Sequence, residues 1–93
     1  MKLEELLKEI GVKQVCGPTD LDIREVHFDS RKIGQGDLFV ALRGVNVDGH
    51  LYIEKAIEAG AVAVVCEQLP EQLHAGLCYV SVADSAFALG NMQ

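Results

Sequence analysis

Between residues 29 and 50 the chain sets Asp29-Ser30-Arg31, Gly36-Asp37, Arg43-Gly44, Asn46 and Asp48-Gly49-His50 around one apolar run, Leu38-Phe39-Val40-Ala41-Leu42. These residue types suit binding chemistry. Ser30 offers a small hydroxyl, and Arg31 a planar cation that can meet a carboxylate or a phosphate. Asn46 both donates and accepts, as recognition of an amide or imide edge requires. Gly44, just past a buried strand, lets a ligand approach the backbone closely. Each residue also has a plainer role: Asp29 and Arg31 as a pair that pins a loop, Gly44 as a strand end, and Asn46 and Asp48-Gly49 as turn residues. The loop-pinning role is the one favoured for Asp29 and Arg31.

Catalysis has less support than binding. Ser30 lies in no GxSxG elbow, and the chain holds no GxxxxGK[ST] phosphate loop, no GxGxxG, no HExxH and no evident pair of catalytic carboxylates. His27, His50 and His74 lack the spacing of a zinc site, so no metal is expected. His50 is expected to help open the helix that follows it.

The elements that position these residues follow from apolar periodicity. Leu3, Leu6, Leu7 and Ile10 mark an amphipathic helix ended by Gly11. Val12 and Val15 suggest a short strand, residues 17–20 a turn, and residues 23–28 a second strand. The run 38–42 is bounded by Gly36-Asp37 and Arg43-Gly44, too short for a helix and suited to a strand buried on both faces; it is read as the central strand. Residues 50–59 place Leu51, Ile53, Ala56 and Ile57 near one helix face before the Gly60 stop, and 61–65 is a further buried strand. Strand, helix and strand make a βαβ unit with parallel strands and a right-handed crossover. Residues 67–76 form a polar connection, 77–82 a third strand of the sheet, and Asp84 caps a helix still unfinished at the last residue, as in a truncated segment. The expected fold is α/β, a three-layer sandwich with a small mixed sheet containing the βαβ unit and with the short N-terminal strands pairing at an edge.

Composition narrows the function classes. A chain of 93 residues with 49% hydrophobic content builds one core, hence a single domain over 1–93. A net charge of -6 with scattered Lys and Arg argues against nucleic acid, while leaving room for a small phosphorylated ligand held by backbone amides and one or two cations. Three widely spaced cysteines form no disulfide framework and no CxxC pair, which fits a reduced, cytoplasmic compartment. Acidic residues interrupt the first apolar pattern, unlike a signal peptide, and no apolar run reaches bilayer length, so no membrane partner is expected.

The ordered set Asp29-Ser30-Arg31, Gly36 through Gly44, Asp48-Gly49-His50, Gly60-Ala61-Val62-Ala63-Val64-Val65 and Asp84 through Gly90 resembles the N-terminal domain of the Mur ligases of bacterial cell-wall synthesis. Within that family the resemblance is closest to the members that add diaminopimelate, or lysine, to UDP-N-acetylmuramoyl-L-alanyl-D-glutamate. The resemblance implies that this segment grips the UDP part of the substrate, with Ser30 and the loop residues Val45, Asn46 and Val47 in contact and Phe28 contributing main chain and shape. Relatives often carry His where Val45 stands, so contacts there would come from the backbone. The resemblance further implies a three-domain ligase whose central domain binds ATP and magnesium. There ATP would phosphorylate the D-glutamate carboxylate, and the next amino acid would attack the acyl phosphate, with none of that chemistry on these residues. A sister ligase that adds D-alanyl-D-alanine shares the same motifs, and a free-standing α/β interaction domain without a nucleotide site is the reading from another class.

Overall fold

The computed structural model describes residues 1–44 and 48–92. Among these described residues, three helices, α1 (Leu3–Leu6), α2 (Ile53–Ala59) and α3 (Ser85–Met92), accompany five strands, β1 (Val12–Cys16), β2 (Val26–His27), β3 (Leu38–Val40), β4 (Ala63–Cys66) and β5 (Cys78–Val82). The strands form one sheet in the order β1-β5-β4-β3-β2, in which β1 runs antiparallel to β5 and every other pairing is parallel. The α/β class and the mixed sheet agree with the sequence reading.

Strand alternation divides the core between the two faces of the sheet. Leu38, Val40, Ala63, Val65, Val80 and Val82 join Leu3 and Ile10 from the N-terminal segment and Ala88 and Met92 from α3 on one face. Phe39, Ala41, Val64, Cys66 and Tyr79 meet Ile33 and, from α2, Ile53 and Ala56 on the other. Strands β3, β4 and β5 are buried along their whole length, which is why they read as continuous apolar runs. Helices on both faces make the three layers.

Several details depart from the sequence reading. The strand in 38–42 is not central: β4 holds the middle, and β3 lies between it and the edge strand β2. The two short N-terminal strands lie at opposite edges and do not pair with each other. Expected strand 23–28 narrows to Val26–His27, because the Ile23 amide goes to the Met1 carbonyl and the Arg24 amide to the Gly36 carbonyl (2.9 Å) rather than into the ladder with β3. Leu51 is 77% exposed, because the 3-10 turn Gly49–Tyr52 precedes α2 and its tighter winding breaks the helical phase assumed for the segment.

Termini and caps behave as their chemistry requires. The first helix is shorter than its apolar pattern, and Gly11 reverses the chain at φ +72°. Asp84 Oδ1 accepts the Phe87 amide at 3.1 Å and so caps α3. Gly60 ends α2 at φ +120°, where an added Cβ would lie 2.7 Å from the Gln35 Cα. That close approach lets residues 34–36 pack beside the helix end, with the Gly36 amide bonded to the Gly60 carbonyl at 3.0 Å. All three cysteines are free thiols, and burial pushes the Cys66 thiol up to about 11. Among the described residues, no helix is long and apolar enough to cross a membrane.

Candidate functional site

A cleft of about 540 Å³ opens where β2 and β3 end, lined by Phe28, Asp29, Ser30, Arg31, Phe39, Leu42, Gly44, Tyr52 and Lys55. It follows from topology: two parallel strands release their chains at the same rim, one into the 3-10 turn Ser30–Lys32 and the other toward residues 43–48. The start of α2 closes the third side. Phe39, buried in the sheet, backs the cleft, while Phe28 is 55% exposed. The walls are therefore largely aromatic and aliphatic, and Ser30, Arg31 and Lys55 supply polar groups.

Asp29 organises the first wall. Its Oδ1 accepts the Arg31 amide at 3.0 Å and Arg31 Nε at 3.1 Å, and its Oδ2 accepts Nη2 at 2.9 Å. Hydrogen bonds from the Arg31 side chain and amide hold the Asp29 carboxyl at about 2, below the usual carboxylate range. The pair thus has the loop-pinning geometry favoured for it, and the turn it pins carries Ser30 to the cleft.

Asp48 and His50 lie behind the opposite wall and hold the Gly49–Tyr52 turn that brings Tyr52 to the cleft. Asp48 Oδ1 accepts the His50 amide at 3.0 Å and lies 2.7 Å from His50 Nδ1. The other ring nitrogen, Nε2, accepts the amides of Glu67 at 3.0 Å and Gln68 at 3.3 Å. An Nε2 that accepts carries no proton, so Nδ1–H donates to Asp48. These hydrogen bonds hold the Asp48 carboxyl below its ordinary value, that of the His50 amide being the largest cause. His50 therefore does more than open a helix: it fastens the start of the α2 segment to the end of β4.

The feet of the intervening loop are fixed as well. Arg43 and Asp48 form an antiparallel bridge, and the Gly49 amide donates to the Leu42 carbonyl at 2.6 Å. A Cβ on Gly49 would lie 2.7 Å from the Leu42 nitrogen, so the approach needs glycine. Arg43 Nε reaches Glu67 Oε1 at 3.4 Å, and Glu67 Oε2 accepts the Ser85 amide and hydroxyl at 2.9 and 3.0 Å. The loop is thereby tied to the start of α3. Of the residues singled out in the sequence, Phe28 and Ser30 line the cleft, whereas Val45, Asn46 and Val47 lie outside the described residues.

Glu25, His27 and Asp37 bring three ligand-type groups within 4.8 Å of one another. The cluster is already supplied with positive charge: Arg24 Nη2 donates to Asp37 Oδ2 at 2.9 Å, and Arg24 Nη1 lies 3.9 Å from Glu25 Oε1. Those same oxygens face His27 Nε2 at 3.8 and 2.8 Å. A magnesium ion would have to displace the guanidinium, so the cluster fits a structural network better than a metal site. The remaining histidine, His74, pairs with Glu54 at 3.0 Å.

Sequence reasoning missed Tyr52 and Lys55 as cleft residues. Their i, i+3 spacing at the start of a helix was the available signal, since it sets both on one face. Lys55 Nζ sits 5.7 Å from the Tyr52 ring centroid, within cation–π range.

Comparison with known proteins adds three findings. The family model described as "Mur ligase family, catalytic domain" matches residues 22–92. Among curated proteins, the UDP-N-acetylmuramoyl-L-alanyl-D-glutamate–2,6-diaminopimelate ligases of Bacteroides fragilis and Bacteroides thetaiotaomicron are 46% and 47% identical over 90 and 92 residues, covering 97% and 99% of this chain. The chain spans 19% of the length of each. Among solved structures, MurF from Acinetobacter baumannii superposes at TM-score 0.65 with 30% identity over 74% of this chain and 15% of its own. The MurF ligase of Thermotoga maritima in complex with ADP does so at 0.64 with 29% identity, over 74% of this chain and 16% of its own.

Proposed function

Because the chain belongs to the Mur ligase family, we propose that it is the UDP-gripping part of an ATP-dependent, amide-bond-forming ligase that adds diaminopimelate or lysine to UDP-N-acetylmuramoyl-L-alanyl-D-glutamate during peptidoglycan precursor synthesis. The observation that carries the reading is the cleft at the carboxyl ends of β2 and β3, with its aromatic walls, the Ser30 turn on one side and the anchored feet of residues 43–48 on the other. A uracil ring needs an apolar slot for its faces and hydrogen-bonding groups for its imide edge. Phe28 would shape the slot, and Ser30, Asn46 and the backbone at Val45 and Val47 would read the edge.

The proposed division of labour is physically economical. A grip on a remote nucleotide handle supplies binding energy that orients a reacting carboxylate elsewhere. No catalytic role is assigned to the residues of this chain. ATP and magnesium would be bound by a neighbouring central domain, since neither a phosphate loop nor an uncommitted carboxylate cluster is offered by the residues described above. With a nucleotide-linked substrate, the working compartment would be the cytoplasm.

One observation favours the sister reading: the MurF structures share this fold, as does the UDP-N-acetylmuramoylalanyl-D-glutamyl-2,6-diaminopimelate–D-alanyl-D-alanyl ligase of Acinetobacter baumannii. Their identity is about 30% over three quarters of the chain, against 46% over 97% for the Bacteroides fragilis diaminopimelate ligase, and the latter supports diaminopimelate addition more strongly. Titration of the chain with UDP, followed by amide NMR, tests nucleotide binding. The amides of Ser30 and residues 44–47 are expected to shift saturably. If they stay unmoved while the spectrum of the folded chain is retained, the grip is refuted.

A further inference from the structure

We infer that Lys55 makes this cleft select a nucleoside diphosphate over the bare nucleoside, its ammonium meeting the phosphate charge; the inference rests on the nucleotide reading above. The chain carries a net charge of -6, so a local cation would favour an anionic ligand against the overall field. Among the described residues, Arg31 and Lys55 are the cations that line the cleft. Arg31 commits both Nε and Nη2 to the Asp29 carboxylate, which satisfies its charge locally.

Lys55 is differently placed. Among the described residues its ammonium has no carboxylate partner, and it lies over the Tyr52 ring, which lines the same cleft. The neighbouring Glu54 carboxylate is directed instead to His74, at 3.0 Å. The cleft thus has an aromatic and aliphatic portion, Phe28, Phe39, Leu42 and Tyr52, joined to an uncommitted ammonium. A ligand that complements both is a flat ring bearing an anionic tail. An ammonium serves such a tail as a point charge, whatever the rotation of the phosphates.

The test compares UDP and uridine binding to the wild-type chain and to Lys55→Met by amide NMR titration at low and physiological salt. Lys55 is exposed, so the substitution leaves the core intact. For an exposed charge, the variant is expected to weaken UDP binding by about three- to fivefold while uridine changes less than about twofold, and to flatten the salt dependence of UDP binding. Equal effects on the two ligands, or none on either, overturn the role of Lys55 while leaving the nucleotide reading in place. Failure of the wild-type chain to bind UDP overturns both.

Discussion

The two walls of the cleft are built on the same local device. Asp29 and Asp48 each precede a 3-10 turn in extended conformation, and each accepts the amide two residues on at 3.0 Å. In both, the side chain at that second position returns to the same carboxylate, Arg31 on one wall and His50 on the other. The difference is where the second partner goes next. Arg31 ends at Asp29 and is 88% exposed, whereas His50 continues through Nε2 to two amides at the end of β4. One aspartate thus makes a self-contained clamp, and the other anchors a tertiary staple. A short motif that looks equivalent in sequence can differ in role because one side chain has a second functional atom.

The largest effect should come from breaking the staple. His50→Ala removes the acceptor of two amides and the partner of Asp48, and should destabilise the chain by about 1–3 kcal/mol, read as a lower urea midpoint at unchanged slope. It should also weaken UDP binding, because the foot of residues 43–48 is no longer fixed to β4. An unchanged midpoint would reduce the two walls to equivalents.

Cutting the clamp should be milder and more local. In Arg31→Ala the Asp29 carboxyl loses its principal hydrogen-bond donor, and its titration should rise from about 2 toward the ordinary 3.8, measurable by carboxyl NMR. The urea midpoint should move less than in His50→Ala. A larger loss in Arg31→Ala than in His50→Ala would invert the comparison.

The smallest effect concerns acid. The Asp29 and Asp48 carboxyls are both depressed in the folded chain, so each binds its proton more readily when unfolded. Their contribution is fully present above the ordinary value near 3.8 and is lost as pH falls; for Asp29 the loss runs down to about 2. Stability measured across that interval should decline with a shallower slope in Asp29→Asn than in wild type. Equal slopes would remove the clamp's electrostatic part.

Legibility in the sequence followed the range of each interaction. Strands β3, β4 and β5 were readable because burial on both faces leaves uninterrupted apolar runs between turn residues. Their order was not, since each such run satisfies the same pattern in any position, and 38–42 was therefore misplaced at the centre. The Asp29–Arg31 pair was readable because its partners lie two residues apart, whereas His50 meets Glu67 and Gln68 only after the chain has passed through α2 and β4. Tyr52 and Lys55 escaped for the same reason: they become cleft residues only when α2 packs beside the Ser30–Lys32 turn. The exposure of Leu51 reflects a 3-10 turn whose onset no periodicity announced.

Phe28, Ser30 and residues 44–47 together make up the proposed uridine nucleotide grip. A crystal structure of the chain with UDP tests it most directly. The uracil is expected in the cleft bounded by Phe28, Ser30 and Tyr52, its imide edge toward the Ser30 hydroxyl and the backbone of residues 44–47, and its phosphates toward Lys55. UDP bound elsewhere, or an empty cleft at saturating UDP, would contradict it.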